Sequence, residues 1–277
     1  MKFEQLIYEE KDQVAKITLN RPKVLNALSM QLSDELVASI ELVRQSTKLR
    51  FLVIEGAGNN FSVGDDITEM LKWGDANGIT RRVRYYQNMA NQLEELDKIT
   101  IAAVDGFAVG GGLEITMVCD FVIATERAKW GMPEVDVGIT PGWGGTTRLS
   151  RLIGRRRAKE INLIGALHTA QRAVEWNLWN RVVPNDRLDI EVENLLNVLK
   201  SKNQQGIRQL KFIINKGVEC DLYTAQGFEV LSGALTGAVS GMWKIKDADR
   251  GAGVMGFAQK NELWERRRSL AKNFWTD

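Results

Sequence analysis

Histidine, cysteine and membrane-length apolar runs are scarce in this chain. Its 277 residues include one histidine, His168, and two cysteines, Cys119 and Cys220. A His-based triad could use only His168, and no GxSxG elbow accompanies it. One His, two distant Cys and scattered carboxylates are a poor zinc ligand set, so no metal is expected. Neither cysteine belongs to a CxxC pair and two cannot form a disulfide framework, so both read as buried free thiols. No apolar run approaches the roughly 18 residues of a membrane span. The start, Met1-Lys2-Phe3-Glu4-Gln5, has neither signal-peptide nor transit-peptide character, which predicts a cytoplasmic chain. The formal net charge is only +2, so nucleic acid and membrane are not expected partners, and an anionic ligand would be held by local groups.

What is present is ordinary globular material, 44% hydrophobic and 26% charged, enough for one large domain with an appendage. Val14-Ala15-Lys16-Ile17-Thr18-Leu19 alternates with period two and reads as a half-buried strand. Leu32, Leu36, Ile40 and Val43 recur at helical spacing, which predicts a helix over 30–45 capped by Ser29. Phe51-Leu52-Val53-Ile54 reads as a strand, and a second helix is predicted over 80–97. Ile101-Ala102-Ala103-Val104 and Phe121-Val122-Ile123-Ala124 follow as strands, with a short one at Arg181-Val182-Val183-Pro184. Residues beyond about 200 read as helices only. Strand–helix alternation followed by a helical tail predicts an α/β fold.

Three segments carry candidate chemistry. In the second, buried strand 101–104 leads through Asp105-Gly106 to Gly110-Gly111-Gly112-Leu113-Glu114. Glycines between a strand and a helix allow close backbone approach and leave N–H donors uncovered, a site for an anion or a polarised carbonyl oxygen. The glycine-bearing turn at Gly64-Asp65, in the first segment, could add a second donor. The plainer reading is tight strand–helix packing. Glu114 follows within the first helical turn, and Glu134 follows Pro133 in the third segment. Two carboxylates near one polarised carbonyl would make an acid/base pair. Separately, Glu114 could be a helix-start carboxylate and Glu134 a surface one, and spacing alone does not bring them together.

Four motifs stand in order. Leu19 to Leu28 reads LNRPKVLNAL, and Phe61 to Ile67 reads FSVGDDI. Ile101 to Asp120 reads IAAVDGFAVGGGLEITMVCD, and Pro133 to Gly145 reads PEVDVGITPGWGG. This set resembles the enoyl-CoA hydratase/isomerase (crotonase) superfamily over about 1–200 and more weakly to Lys260. The resemblance implies a crotonase spiral of ββα repeats over 1–200 and a C-terminal helical trimerisation region over 201–277. It implies an oxyanion hole from the backbone N–H groups of Asp65 and Gly111, with Glu114 and Glu134 as catalytic acid and base. Lys23, Asp66, Ile67, Thr68, Phe257 and Lys260 would contact coenzyme A, which is part of the substrate rather than a cofactor. A homotrimer or homohexamer follows. Keeping both glutamates favours hydration of a 2-enoyl-CoA over isomerisation, hydrolysis or decarboxylation, and over a non-catalytic RNA-binding role.

Several residues depart from the family pattern. Asp65 stands where a small residue is common, and Trp143 fills a position that is often small. With Trp73 and Trp130 near the same segments, aromatic bulk lines the acyl pocket or belongs to the core. The GxGxxG at Gly251-Ala252-Gly253-Val254-Met255-Gly256 lacks a preceding strand and is not a dinucleotide fingerprint. The Arg155-Arg156-Arg157 and Arg266-Arg267-Arg268 runs read as solvated helix faces.

Overall fold

The first two strands, β1 (Leu6–Lys11) and β2 (Val14–Leu19), pair antiparallel around Asp12 and Gln13. Both turn residues have positive φ, 48° and 71°, which suits the right-handed twist of a two-residue hairpin. The sequence reading missed β1 because Tyr8-Glu9-Glu10-Lys11 is polar. It is the exposed edge of the sheet, where charge discourages further pairing. The computed structural model describes residues 3–240.

The remaining elements alternate. Helix α1 (Met30–Gln45) follows, its first turn capped by the Ser29 side chain accepting from Leu32 N. Next come β3 (Phe51–Gly56), the single turn α2 (Ile67–Met70) and the long α3 (Ala76–Glu94). Asp75 caps α3 by accepting from the N–H groups of Asn77 and Gly78, so it begins four residues before the predicted start. Then come β4 (Ile99–Val104), β5 (Phe107–Val109) and α4 (Gly111–Met117). They are followed by β6 (Phe121–Thr125), β7 (Lys129–Gly131), α5 (Thr147–Ile153) and α6 (Arg155–Ile164). Strand β8 (His168–Thr169), α7 (Ala170–Glu175), β9 (Arg181–Val183) and α8 (Leu188–Lys200) lead to α9 (Gln204–Gly217) and α10 (Leu222–Ser240).

The larger sheet has the order β1-β2-β3-β4-β6-β9 and is parallel from β2 onward. A parallel sheet is covered on both faces, which is why all six residues of β4 are buried and read as a continuous apolar run. The smaller sheet has the order β5-β7-β8. A Ser62↔Ala108 bridge prolongs it, and Leu28↔Asp65 is a further parallel bridge. Each turn of the chain thus places one strand in the large sheet, one rung in the small one, and then a helix: β3–Ser62–α3, β4–β5–α4, β6–β7–α5. These are the ββα repeats expected from the motifs. The second strand of each turn is at most three residues long, too short for periodicity to reveal.

The core runs through Leu19, Leu36, Ile54, Phe61, Val104 and Trp130, all under 1% exposed. Trp130 belongs to that core: its Nε1 donates to Thr169 O at 2.9 Å and its ring packs on His168, Trp176 and Trp179. Cys119 and Cys220 are in no disulfide and are partly rather than fully buried. The chain divides into two compact units, Met1–Val192 and Glu193 onward. In the second, α9 and α10 pack together, with Ser232 Oγ donating to Gln209 Oε1 at 3.0 Å and the Phe212 and Phe228 rings 5.7 Å apart. Among the described residues no helix is long and apolar enough to cross a membrane.

Candidate active site

The glycine run is set by how closely two backbones meet. Gly64 has φ 86°, and a Cβ on it would lie 2.7 Å from Gly111 N and 2.9 Å from Val109 O. Only glycine allows that approach, so Asp65 follows directly beside the start of α4. Leu28 N donates to Gly64 O at 2.8 Å and Asp66 N donates to Leu28 O at 3.1 Å. In such a parallel rung the intervening residue, Asp65, turns its own N–H the other way. Gly111 N is the first donor of α4, where no intrahelical acceptor exists. Neither N–H has an acceptor among the described residues. The two donors form a backbone pair suited to a developing oxyanion.

Glu114 and Glu134 converge on this pair. Glu114 is 1% exposed, and its Oε1 accepts from Trp143 N at 2.9 Å and Gly145 N at 2.7 Å. That loop is pinned by Gln87 Nε2 donating to Gly142 O (2.8 Å), Arg148 Nη1 to Trp143 O (2.7 Å) and Asn162 Nδ2 to Gly145 O (2.9 Å). Glu134 enters from the 3-10 turn Pro133–Val137, and its Oε1 would lie 3.1 Å from a Cβ on Gly110. Glu114 Oε2 and Glu134 Oε2 are both buried with no hydrogen-bond partner among the described residues.

Burial controls the charge state of this site. It pushes Glu114 up to about 8, against the two backbone donors, with the neighbouring Glu134 and Asp65 charges adding to the rise. Burial likewise pushes Glu134 up to about 7, partly offset by its own N–H and reinforced by Asp65. Asp65 rises to about 6 on burial, held back by the Tyr86 hydroxyl, the Trp143 indole and the Arg82 guanidinium. Glu114 and Glu134 thus titrate near neutral pH beside the charge of Asp65, the condition for acid/base exchange.

Asp65 thus plays two parts. Its backbone joins Gly111, while its side chain enters a cluster that sequence reasoning assembled only in part. Tyr86 is the hub, stacked on Trp143 at 4.6 Å with 8° between the planes, and 6.1 Å from Trp73. Arg82 Cζ lies 4.7 Å from the Tyr86 ring centre. Arg82 and Tyr86, four apart on α3, share one face, the only local signal that could have linked them. Of the other predicted residues, Asp66 is engaged in structure: it pairs with Arg21 at 2.9 Å and accepts from Thr68 N and Oγ1. That pair joins the Pro22–Val24 turn, carrying exposed Lys23, to Ile67 (60% exposed) and Thr68. Phe257 and Lys260 lie outside the described residues. Among the described residues no three His, Cys, Asp or Glu side chains are grouped as a metal would need.

The enoyl-CoA hydratase/isomerase family model matches residues 9–264. The chain belongs to that family. The short-chain-enoyl-CoA hydratase of Clostridium acetobutylicum is 38% identical over 83% of this chain and 88% of its own. The crotonyl-CoA hydratase of Syntrophomonas wolfei is 36% identical with the same coverage. Among solved structures, an enoyl-CoA hydratase from Bacillus anthracis superposes with a TM-score of 0.82 at 32% identity, covering 93% of this chain and 97% of that one. One from Geobacillus kaustophilus reaches 0.85 at 28%, covering 94% and 96%. The family's crotonase fold accounts for the ββα turns.

Proposed function

We propose that this protein adds water across the double bond of a 2-enoyl-CoA thioester. The observation that carries the reading is one juxtaposition: the buried carboxylate of Glu114 and that of half-buried Glu134, each with a buried unpartnered Oε2, beside the unengaged N–H groups of Asp65 and Gly111. The relatives from C. acetobutylicum and S. wolfei, both named as hydratases, support the same reaction.

The chemistry follows from polarisation. The thioester oxygen accepts from Asp65 N and Gly111 N, which makes the β-carbon electrophilic. Water held between the glutamates loses a proton to one carboxylate as its oxygen bonds to the β-carbon. The electron pair of the double bond moves to the α-carbon, and its enolate charge rests on the two N–H groups. A proton from the carboxyl pair then closes the α-carbon, so the pair ends with the proton count it began with. With values of about 8 and about 7, Glu114 and Glu134 titrate as a coupled pair that keeps one proton near neutral pH.

Lys23, Asp66, Ile67 and Thr68 would contact coenzyme A on the face that carries the Arg21–Asp66 pair, through main chain where their side chains are already engaged. Assembly as a trimer or hexamer and a cytoplasmic location belong to the same reading. The test is incubation with a series of 2-enoyl-CoAs, following loss of the conjugated thioester absorbance and the product mass. A gain of one water supports hydration, whereas an unchanged mass with a moved double bond overturns it.

A further inference from the structure

The cluster around Tyr86 holds more hydrogen-bonding capacity than the protein uses. Asp65 Oδ1, Trp73 Nε1, Arg82 Nε and Arg82 Nη2 are all buried with no hydrogen-bond partner among the described residues. Arg82 has its side chain only 14% exposed and reaches Asp34 through Nη1 at a loose 3.8 Å. A buried polar group left without a partner is costly, and a guanidinium especially so. An acyl pocket for a plain alkyl chain has no use for such groups.

Their location points to the acyl end of the site. Asp65 links the two regions: its carboxylate feels Tyr86, Trp143 and Arg82 on one side, and raises Glu114 and Glu134 on the other. The indole of Trp143 covers Gly111, since a Cβ added there would overlap its Cζ2. Trp73 and Arg82 also line a cleft of about 280 Å³, with Lys72, Arg81 and Tyr85 beside them. Glu69 lies 3.7 Å from Lys72 and Asp34 accepts from the Tyr85 hydroxyl, yet Arg82 Nε, Arg82 Nη2 and Trp73 Nε1 remain donors with no acceptor among the described residues.

We propose that the acyl group accepted here carries an oxygen acceptor at its distal end, a carboxylate or a hydroxyl, bound by Arg82 and Trp73 next to Asp65. The inference rests on the enoyl-thioester reading of Glu114 and Glu134 and narrows it to polar 2-enoyl groups. Sites built to hydrogen-bond a substrate oxygen discriminate strongly against the analogue that lacks it, because their own groups are then stranded.

The experiment has two arms. In the first, kcat/KM is measured for pent-2-enedioyl-CoA and 4-hydroxybut-2-enoyl-CoA against pent-2-enoyl-CoA and but-2-enoyl-CoA. At least one oxygenated substrate should be preferred by roughly ten- to a hundredfold. Both Arg82→Met and Trp73→Phe should collapse that ratio toward one. The second variant keeps the ring and removes only the N–H, so it remains informative if Arg82→Met fails to fold. Preference for the carboxylate alone identifies the guanidinium as the main contact, and preference for the hydroxyl alone identifies Asp65 and Trp73; either supports the proposal. Equal or better turnover of the alkyl substrates overturns it, as does a ratio that neither variant moves.

The second arm needs no turnover. Calorimetric binding of saturated pentanedioyl-CoA is compared with that of pentanoyl-CoA. Tighter binding of the diacid without water uptake by any enoyl-CoA would keep the polar pocket and sink the hydration reading. Hydration of all four substrates without preference, together with equal binding, does the reverse.

Discussion

The two halves of the candidate site are built in opposite ways. The reacting half is made of backbone and two carboxylates, drawn from three short segments around Asp65, residues 111–114 and Glu134. The acyl half is made of large side chains, Trp73, Arg82, Tyr86 and Trp143, joined by an aspartate where the family commonly has a small residue. The first half owes its geometry to what is missing at Gly64, where a side chain would meet Gly111 N and Val109 O, and at Gly111, where one would meet the Trp143 ring. The second owes its geometry to bulk. On the proposed reading, reaction type and substrate choice are carried by separate groups, with Asp65 common to both.

The sharpest way to test that division is to damage the reacting half alone. Glu134→Gln should lower turnover by roughly 10²–10⁴ while acyl-CoA binding, read by calorimetry, changes little. Normal turnover would end the two-carboxylate model. The next largest effect probes where the halves touch. Gly111→Ala drives a methyl into the Trp143 ring and should cost roughly a hundredfold in kcat/KM. Shrinking the neighbour with Trp143→Phe in the same chain should recover part of it. No recovery would mean that the loss arises at the N–H rather than at the contact.

The same division explains what could be read from the chain alone. Gly110, Gly111, Gly112 and Glu114 are consecutive or nearly so, and a strand-to-helix turn fixes their relation locally. The helix over 30–45 was legible for the same reason: Leu32, Leu36, Ile40 and Val43 all bury on one face, and Ser29 caps it. By contrast, Asp65 meets Tyr86 and Trp143 through tertiary packing, across separations of 21 and 78 residues. No periodicity spans such gaps, so Trp143 could be flagged as unusual but not assigned a neighbour. Strand β1 escaped because its exposed edge is polar, and β5 and β7 because three residues cannot display alternation.

A third prediction concerns the energetic cost of keeping Glu114 dry. The folded chain holds its proton up to about 8, whereas the ordinary value is 4.5. Between those limits the folded state binds more protons than the unfolded one, so stability falls as pH rises from about 4.5 toward 8. Glu114→Gln removes this slope and keeps an acceptor oxygen for Trp143 N and Gly145 N. The variant should be inactive yet more stable than its parent at pH 8, by roughly 2 kcal/mol in urea unfolding, with the gap narrowing at pH 5. Equal stability at both pH values would place the burial effect on Glu114 in error.

The smallest effect is the most discriminating, because it uses the residue that both halves share. Glu114 and Glu134 are each raised partly by the Asp65 charge. Catalysis by a pair that keeps one proton gives a bell-shaped rate profile, falling where the pair gains a second proton and again where it loses the first. Asp65→Asn keeps the backbone N–H and removes the charge. Each glutamate then ionises more readily, so both limbs of the kcat/KM profile should move to lower pH, an electrostatic change worth about 1 kcal/mol. A Glu114 or Glu134 substitution abolishes a limb, whereas this one should translate both. If the profile stays in place while the preference among acyl groups changes, Asp65 acts only on the acyl side and the halves are electrically independent. If it moves and the preference changes with it, one carboxylate connects the chemistry to the choice of substrate.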